Sequence, residues 1–250
     1  MTIGQHHNGR GQARDDDLSA LALLADGLTG ADIERLVREV RGRCRRGREP
    51  MTWDNLAEAL RGVRPAPPAQ LMLPIAIHEI GHALAYELFG IGQVESVQIG
   101  GETGGRTRVT MHTERVQDEV GIMGMISCLL AGRAAEQLVI GSTMIGSGGV
   151  EESDLGRATR LAVELETACG LGEDMPLVYR PPANPGEALL YQPLLARRVD
   201  ARLTRAAKEV EAELRRHLTL LSRLAGLLVE RTIIGGDEVR REIENSASDR

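Results

Sequence analysis

Aromatic side chains are nearly missing from this sequence: one Phe, one Trp and three Tyr among 250 residues, 2% of the total. Any core must therefore be built from Leu, Ile, Val and Ala, which points to helices packed through aliphatic faces. Cysteine is scarce as well. Cys44, Cys128 and Cys169 are odd in number and show no CxxC spacing, which excludes a disulfide framework or a cysteine-rich zinc site and fits a reducing, cytoplasmic compartment. Positive charge is not in excess. A net charge of -6 gives no global attraction for nucleic acid or anionic lipid, so neither is expected as a partner. The one local candidate, RGRCRRGR at Arg41 to Arg48, lacks interleaved aromatics and reads as a solvated turn. No run approaches the roughly 18 to 20 uninterrupted apolar residues of a membrane span, and the opening MTIGQHHNGRGQARDDD is too polar for a signal peptide.

What is present is 42% hydrophobic and 26% charged residues, the balance of a soluble globular chain, with mainly helical periodicity. Residues 1–16 read as a disordered segment and residues 17–64 as a small helical subdomain. Thr29 with Asp32, and Thr52 ahead of Trp53, Leu56 and Leu60, mark two helix starts there. The stiff stretch Arg64 to Pro68 marks a boundary, and residues 65–250 form the second domain. In it an apolar helix is expected from Leu71 to Phe89, with Pro74 in its first turn and Gly90 as its stop. Val94, Val97 and Ile99, then GGETGG, then Thr107, Val109 and Met111 predict a small β hairpin, the only β signal. Helices follow over Arg115 to Ile140, from Ser153 to near Gly170, over Leu194 to Arg231 and after Asp237.

The chemistry concentrates in His78-Glu79-Ile80-Gly81-His82, an HExxH sequence inside the first of these helices. Residues four apart lie one turn above each other on one face, so both imidazoles reach a single ion. Zinc takes such ligands and keeps a position for water in catalytic sites, beside which Glu79 can act as the base. Gly81, costly in mid-helix by about 1 kcal/mol, implies a close approach to the backbone, by a ligand or by a packed helix. A third protein ligand is required. Ala85 and Leu88 stand where a metzincin has Gly and His, so the ligand comes from farther along. Spacing leaves Glu136 and Asp154 both open: each has an ordinary role as well, Glu136 as an ion-pair partner of Arg133 and Asp154 as a helix-start acid. His112 and His217 read as structural histidines.

Several ordered blocks together resemble the FtsH-type ATP-dependent zinc proteases. HEIGHALA resembles the zinc-binding helix of that family, LLAGRAAEQLVIG its glycine-arginine-alanine helix, ESDLGRATRLAVEL its Asp-Leu helix and LLVERTIIGGDEVRREI its C-terminal end. Upstream, LTGADIERLVREV and MTWDNLAEAL resemble the lid helices of an AAA module. The resemblance implies a helical zinc metallopeptidase domain preceded by a lid-like subdomain, with His78, His82 and Asp154 as the ligands of one Zn2+ and Glu79 as the base. Glu136 becomes an acid beside the site. It further implies unfolded polypeptide substrates, which strand addition to an edge strand at Val94 to Ile99 could hold, and a homo-hexamer. No GxxxxGK[ST] phosphate loop occurs, so ATP is expected to act only through an AAA motor on the same longer chain or on a partner, and the full-length protein could be membrane-anchored on the cytoplasmic side. The alternative is a non-catalytic, zinc-stabilised assembly or adaptor module, distinguished by a closed four-ligand site.

Overall fold

The structure, a computed structural model, describes residues 18, 21–25, 27–63, 66–101, 104–145 and 148–248. The segment 1–16, expected to be disordered, lies outside the described residues. The chain divides into two compact units, residues 1–67 with the turn 100–104, and residues 68–99 with 105–250.

In the first unit α1 spans Gly30–Gly47 and α2 spans Trp53–Arg61. Both starts are reciprocal caps: Thr29 Oγ1 accepts from Asp32 N while the Asp32 carboxylate accepts from Thr29 N, and Thr52 with Asn55 repeats the pattern. The turn expected at Arg41 to Arg48 is absent. Helix α1 continues through it to Gly47 and ends on Arg48 in the left-handed region. Arginine is a good helix former, and interior Gly42 costs only about 1 kcal/mol. Arg45 and Arg46 also complement the negative end of the helix dipole, so the capped helix outlasts its glycine.

The second unit is mainly α, as expected, and its spine is α3, Ala69–Leu88. This helix is apolar nearly all round, with Ala76, Ile77, Ile80, Ala83 and Leu84 buried. It begins earlier than Pro74 suggests. Pro74 therefore sits inside the helix, where it removes one backbone bond close enough to the start for the helix to survive. Strands β1, Gly92–Ile99, and β2, Gly105–Met111, pair antiparallel, with Val97 opposite Thr107 and a bulge at Glu95. Gly100, Gly101 and Gly104 supply the positive φ that their turn needs.

A third strand, β3 at Ile233–Gly235, is too short to leave an alternation in the sequence. It pairs with Ser96, Val97 and Gln98 on the other side of β1, so the order is β2-β1-β3. This corrects the expectation of an edge strand at Val94 to Ile99. The backbone of β1 is taken on both sides, and β2 and β3 are the outer strands.

Helix α4 spans Glu119–Val139, α5 Asp154–Thr167, α6 Pro185–Tyr191, α7 Pro193–Arg216, α8 Leu218–Arg231 and α9 Gly236–Ser248. The helical region expected over Leu194 to Arg231 is thus two helices, broken at His217. By length and composition α4 could cross a membrane, but 61% of its most apolar window is buried within the protein. It packs between α3 and α7 as a core helix. Arg202 of α7, itself buried, bridges Glu166 of α5 and Glu119 of α4 at 2.6 Å each and donates to Leu171 O at 3.1 Å. Buried polar groups paired in this way fix the relative positions of three helices around the aliphatic core.

Candidate metal centre

His78 and His82 lie one turn apart on the face of α3 that meets α4 and the start of α5. Two small residues allow that approach. A Cβ on Gly81 would stand 2.6 Å from Ala135 Cβ and 2.8 Å from Ala131 O, so the glycine admits the backbone of α4. Of the two readings open for Gly81, helix packing is the one this geometry supports. Gly132 of α4 does something different. A Cβ there would fall 2.5 Å from His78 Cε1 and 2.6 Å from both ring nitrogens, so the absent side chain is the space in which the His78 imidazole stands.

Each imidazole is oriented from behind. His82 Nδ1 lies 2.8 Å from Cys128 O, and a carbonyl only accepts, so the proton is on Nδ1. His78 Nδ1 lies 2.7 Å from Glu136 Oε1, whose other oxygen accepts from Met144 N at 2.6 Å. Glu136 is 2% exposed, and its carboxylate therefore spends both oxygens on holding this ring and the loop after α4. With Nδ1 holding the proton in each neutral imidazole, the lone pair lies on Nε2. The two Nε2 atoms face each other at 3.0 Å, and Asp154 Oδ2 lies 3.3 Å from one and 3.2 Å from the other.

Three such atoms converging on one point need positive charge between them, a proton or a metal ion. Their spacing suits zinc, since tetrahedral bonds of about 2.0 to 2.1 Å put ligand atoms about 3.3 Å apart. The rings are nearly perpendicular, at 75°, as two ligands approaching one centre from different sides can be. The electrostatics express the same demand. Burial pulls the His78 imidazolium down, but the Asp154 and Glu136 carboxylates and the charge of Glu79 outweigh it and leave the group raised to about 10. Burial likewise raises Asp154, and the two imidazoles overcome it and hold the carboxyl well below the usual range. The residues thus fit a divalent cation, and among the described residues they are the one group of three or more such donors within ligand distance.

Asp154 arrives from 76 residues downstream of His78 because Ser153 caps α5, its Oγ accepting from Gly156 N at 3.2 Å, which sets Asp154 as the first helical residue. Glu79, one residue on from His78, turns toward β2. It is 9% exposed, and Thr107 Oγ1 lies 2.7 Å from its Oε2. His112 and His217 stand elsewhere, His112 donating to Gly90 O and His217 facing Glu213. Sequence reasoning named His78, Glu79, His82, Asp154 and Glu136 but not Gly132, Gly105, Thr107 or the carbonyl of Cys128. For Gly132 a signal did exist, a glycine in the interior of an otherwise apolar helix.

The sequence profile of peptidase family M41 matches residues 70–241, well over half of the chain. The chain is 33% identical over 242 residues to the ATP-dependent zinc metalloprotease FtsH 2 of Symbiobacterium thermophilum, an alignment covering 90% of this chain and 40% of that protein. It is 31% identical to the ATP-dependent zinc metalloprotease FtsH of Thermus thermophilus over 96% of this chain and 41% of the relative. The chloroplastic ATP-dependent zinc metalloprotease FTSH 6 of Oryza sativa is 30% identical over 89% of this chain and 36% of its own length. The chain spans about two fifths of the length of these curated relatives.

Proposed function

The chain belongs to peptidase family M41, and from that membership and the converging donors we propose that it is a zinc metalloendopeptidase acting on unfolded polypeptide. One observation carries the reading. The Nε2 atoms of His78 and His82 and a carboxylate oxygen of Asp154 stand 3.0 to 3.3 Å apart around one point. His78, His82 and Asp154 are the metal ligands. Three protein donors among the described residues would leave a bound zinc one position for water, the pattern of a catalytic site, and this favours hydrolysis over a zinc-stabilised adaptor.

Zinc bound there supplies a Lewis acid for the scissile carbonyl and for a water molecule. Glu79 is the base. It accepts a proton from the attacking water as the oxygen bonds to the carbonyl carbon, and returns that proton to the amide nitrogen as the C–N bond breaks. Glu136 and the Cys128 carbonyl keep the imidazoles in the tautomer that leaves Nε2 bare. An extended substrate would add to β2, the outer strand that runs past Glu79, rather than to β1.

We extend the reading to the larger setting that the family resemblance implies: an ATP-driven AAA motor on the same longer chain or a partner, to which residues 17–64 contribute lid helices, a homo-hexameric ring, and a cytoplasmic location with the full-length protein membrane-anchored on that side. The test is Glu79→Gln in the zinc-loaded chain with an unfolded polypeptide as substrate. Zinc content should stay at the wild-type level while cleavage falls by about 10²-fold to 10⁴-fold, the usual worth of a positioned base. Cleavage at the wild-type rate by that variant would overturn the assignment.

A further inference from the structure

Positions 105 and 107 lie on the same face of β2, two residues apart, and both meet the carboxylate of Glu79. Thr107 Oγ1 is 2.7 Å from Glu79 Oε2 and 3.0 Å from the Glu79 carbonyl oxygen. A hydroxyl has one proton to give, and the shorter contact to a charged acceptor takes it. The other carboxylate oxygen stands against Gly105, where a Cβ would fall 2.7 Å from Oε1 and 2.8 Å from Cγ. Only the missing side chain leaves Oε1 its place. A glutamate carboxylate is otherwise broadly free to rotate about its last bond, and here one oxygen is tied while the other is given room.

We propose that Thr107 is a positioning residue for Glu79, its hydroxyl holding Oε2 so that Oε1 is presented for proton transfer. The inference rests on Glu79 being the base. Neither the HExxH spacing nor the pairing of the ligands requires a hydroxyl at this place, since the carboxylate is already anchored to α3 through its own chain.

The experiment compares Thr107→Val, which keeps the side-chain shape, with Thr107→Ser, which keeps the hydroxyl, in the zinc-loaded chain. Glu79→Gln is the reference, and the substrate is an internally quenched flexible peptide. Thr107→Val should lower kcat about 10-fold to 100-fold, as expected for the loss of one hydrogen bond to a charged group, with KM within about twofold and zinc content unchanged. Thr107→Ser should restore at least half of wild-type kcat. A readout without turnover is the calorimetric affinity of a peptidyl hydroxamate, whose hydroxyl donates to the base. Thr107→Val should weaken it, and Thr107→Ser should not.

A Thr107→Val enzyme with wild-type kcat and hydroxamate affinity, beside an inactive Glu79→Gln, would overturn this inference alone. An equal kcat loss in Val and Ser variants would also overturn it, by assigning residue 107 a packing role. Full turnover by Glu79→Gln would instead remove the base on which the inference rests.

Discussion

Gly132→Ala places a single methyl group against the His78 ring. The added Cβ would lie 2.5 Å from His78 Cε1 and 2.6 Å from Nδ1 and Nε2. Ordinary contacts between such atoms are about 3.5 Å, so the ring or α4 has to retreat by roughly 1 Å. A metal ligand tolerates only about 0.2 Å. The ring cannot pivot aside cheaply, because Glu136 holds Nδ1 at 2.7 Å from behind. Moving His78 should therefore lower zinc affinity by about 100-fold or more, at or beyond the upper end for loss of an outer partner. Folding need not suffer comparably. Alanine is favoured over glycine in a helix interior by about 1 kcal/mol, which offsets part of the crowding. The measurement is zinc affinity by competition with a chelator, set beside urea unfolding of the metal-free chain. Gly226→Ala is the control, since nothing lies within 4 Å of the Cβ it would add in α8, and it should stabilise the chain slightly without touching zinc. Wild-type zinc affinity in a folded Gly132→Ala chain would refute the reasoning.

Three other outcomes follow. Asp154→Ala should lower zinc occupancy more than Glu136→Ala, because Asp154 Oδ2 faces both Nε2 atoms while Glu136 meets only the protonated Nδ1 of His78; metal analysis at limiting zinc gives the order. Arg202→Ala should cost about 3 kcal/mol in urea unfolding, since it strips a partner from Glu166, 3% exposed, and breaks the bridge to Glu119. A loss under about 1 kcal/mol would mean that Arg198, 2.9 Å from the same carboxylate, suffices by itself. In native protein a thiol reagent should modify exposed Cys169 and leave Cys128 intact until the chain unfolds, because burial both covers the Cys128 thiol and pushes it up.

Elements whose cause is local could be read without coordinates. The helix starts at Thr29 with Asp32 and at Thr52 are set within one turn, and the hairpin is written in alternation around a glycine turn. The HExxH spacing has the same character, for it needs only that the segment be helical. The misreadings have local causes too. Two glycines among arginines look like a turn at Arg41 to Arg48, yet their summed penalty is smaller than what a capped helix gains by continuing. Pro74 looks like a helix start because proline suits one, although the chain already turns helical at Ala69.

By itself, then, the order of residues determined a helical chain with an aliphatic core, two histidines on one face and an acid between them. Tertiary structure decided between Asp154 and Glu136 as the carboxylate that meets both Nε2 atoms, a matter of how α4 and α5 stack on α3. It also decided that β1 is enclosed by β3, whose three residues come from 135 or more positions away. The physical reason is one of range: caps, turns and periodicity act over a few residues, whereas packing brings together groups whose separation along the chain carries no information about their separation in space.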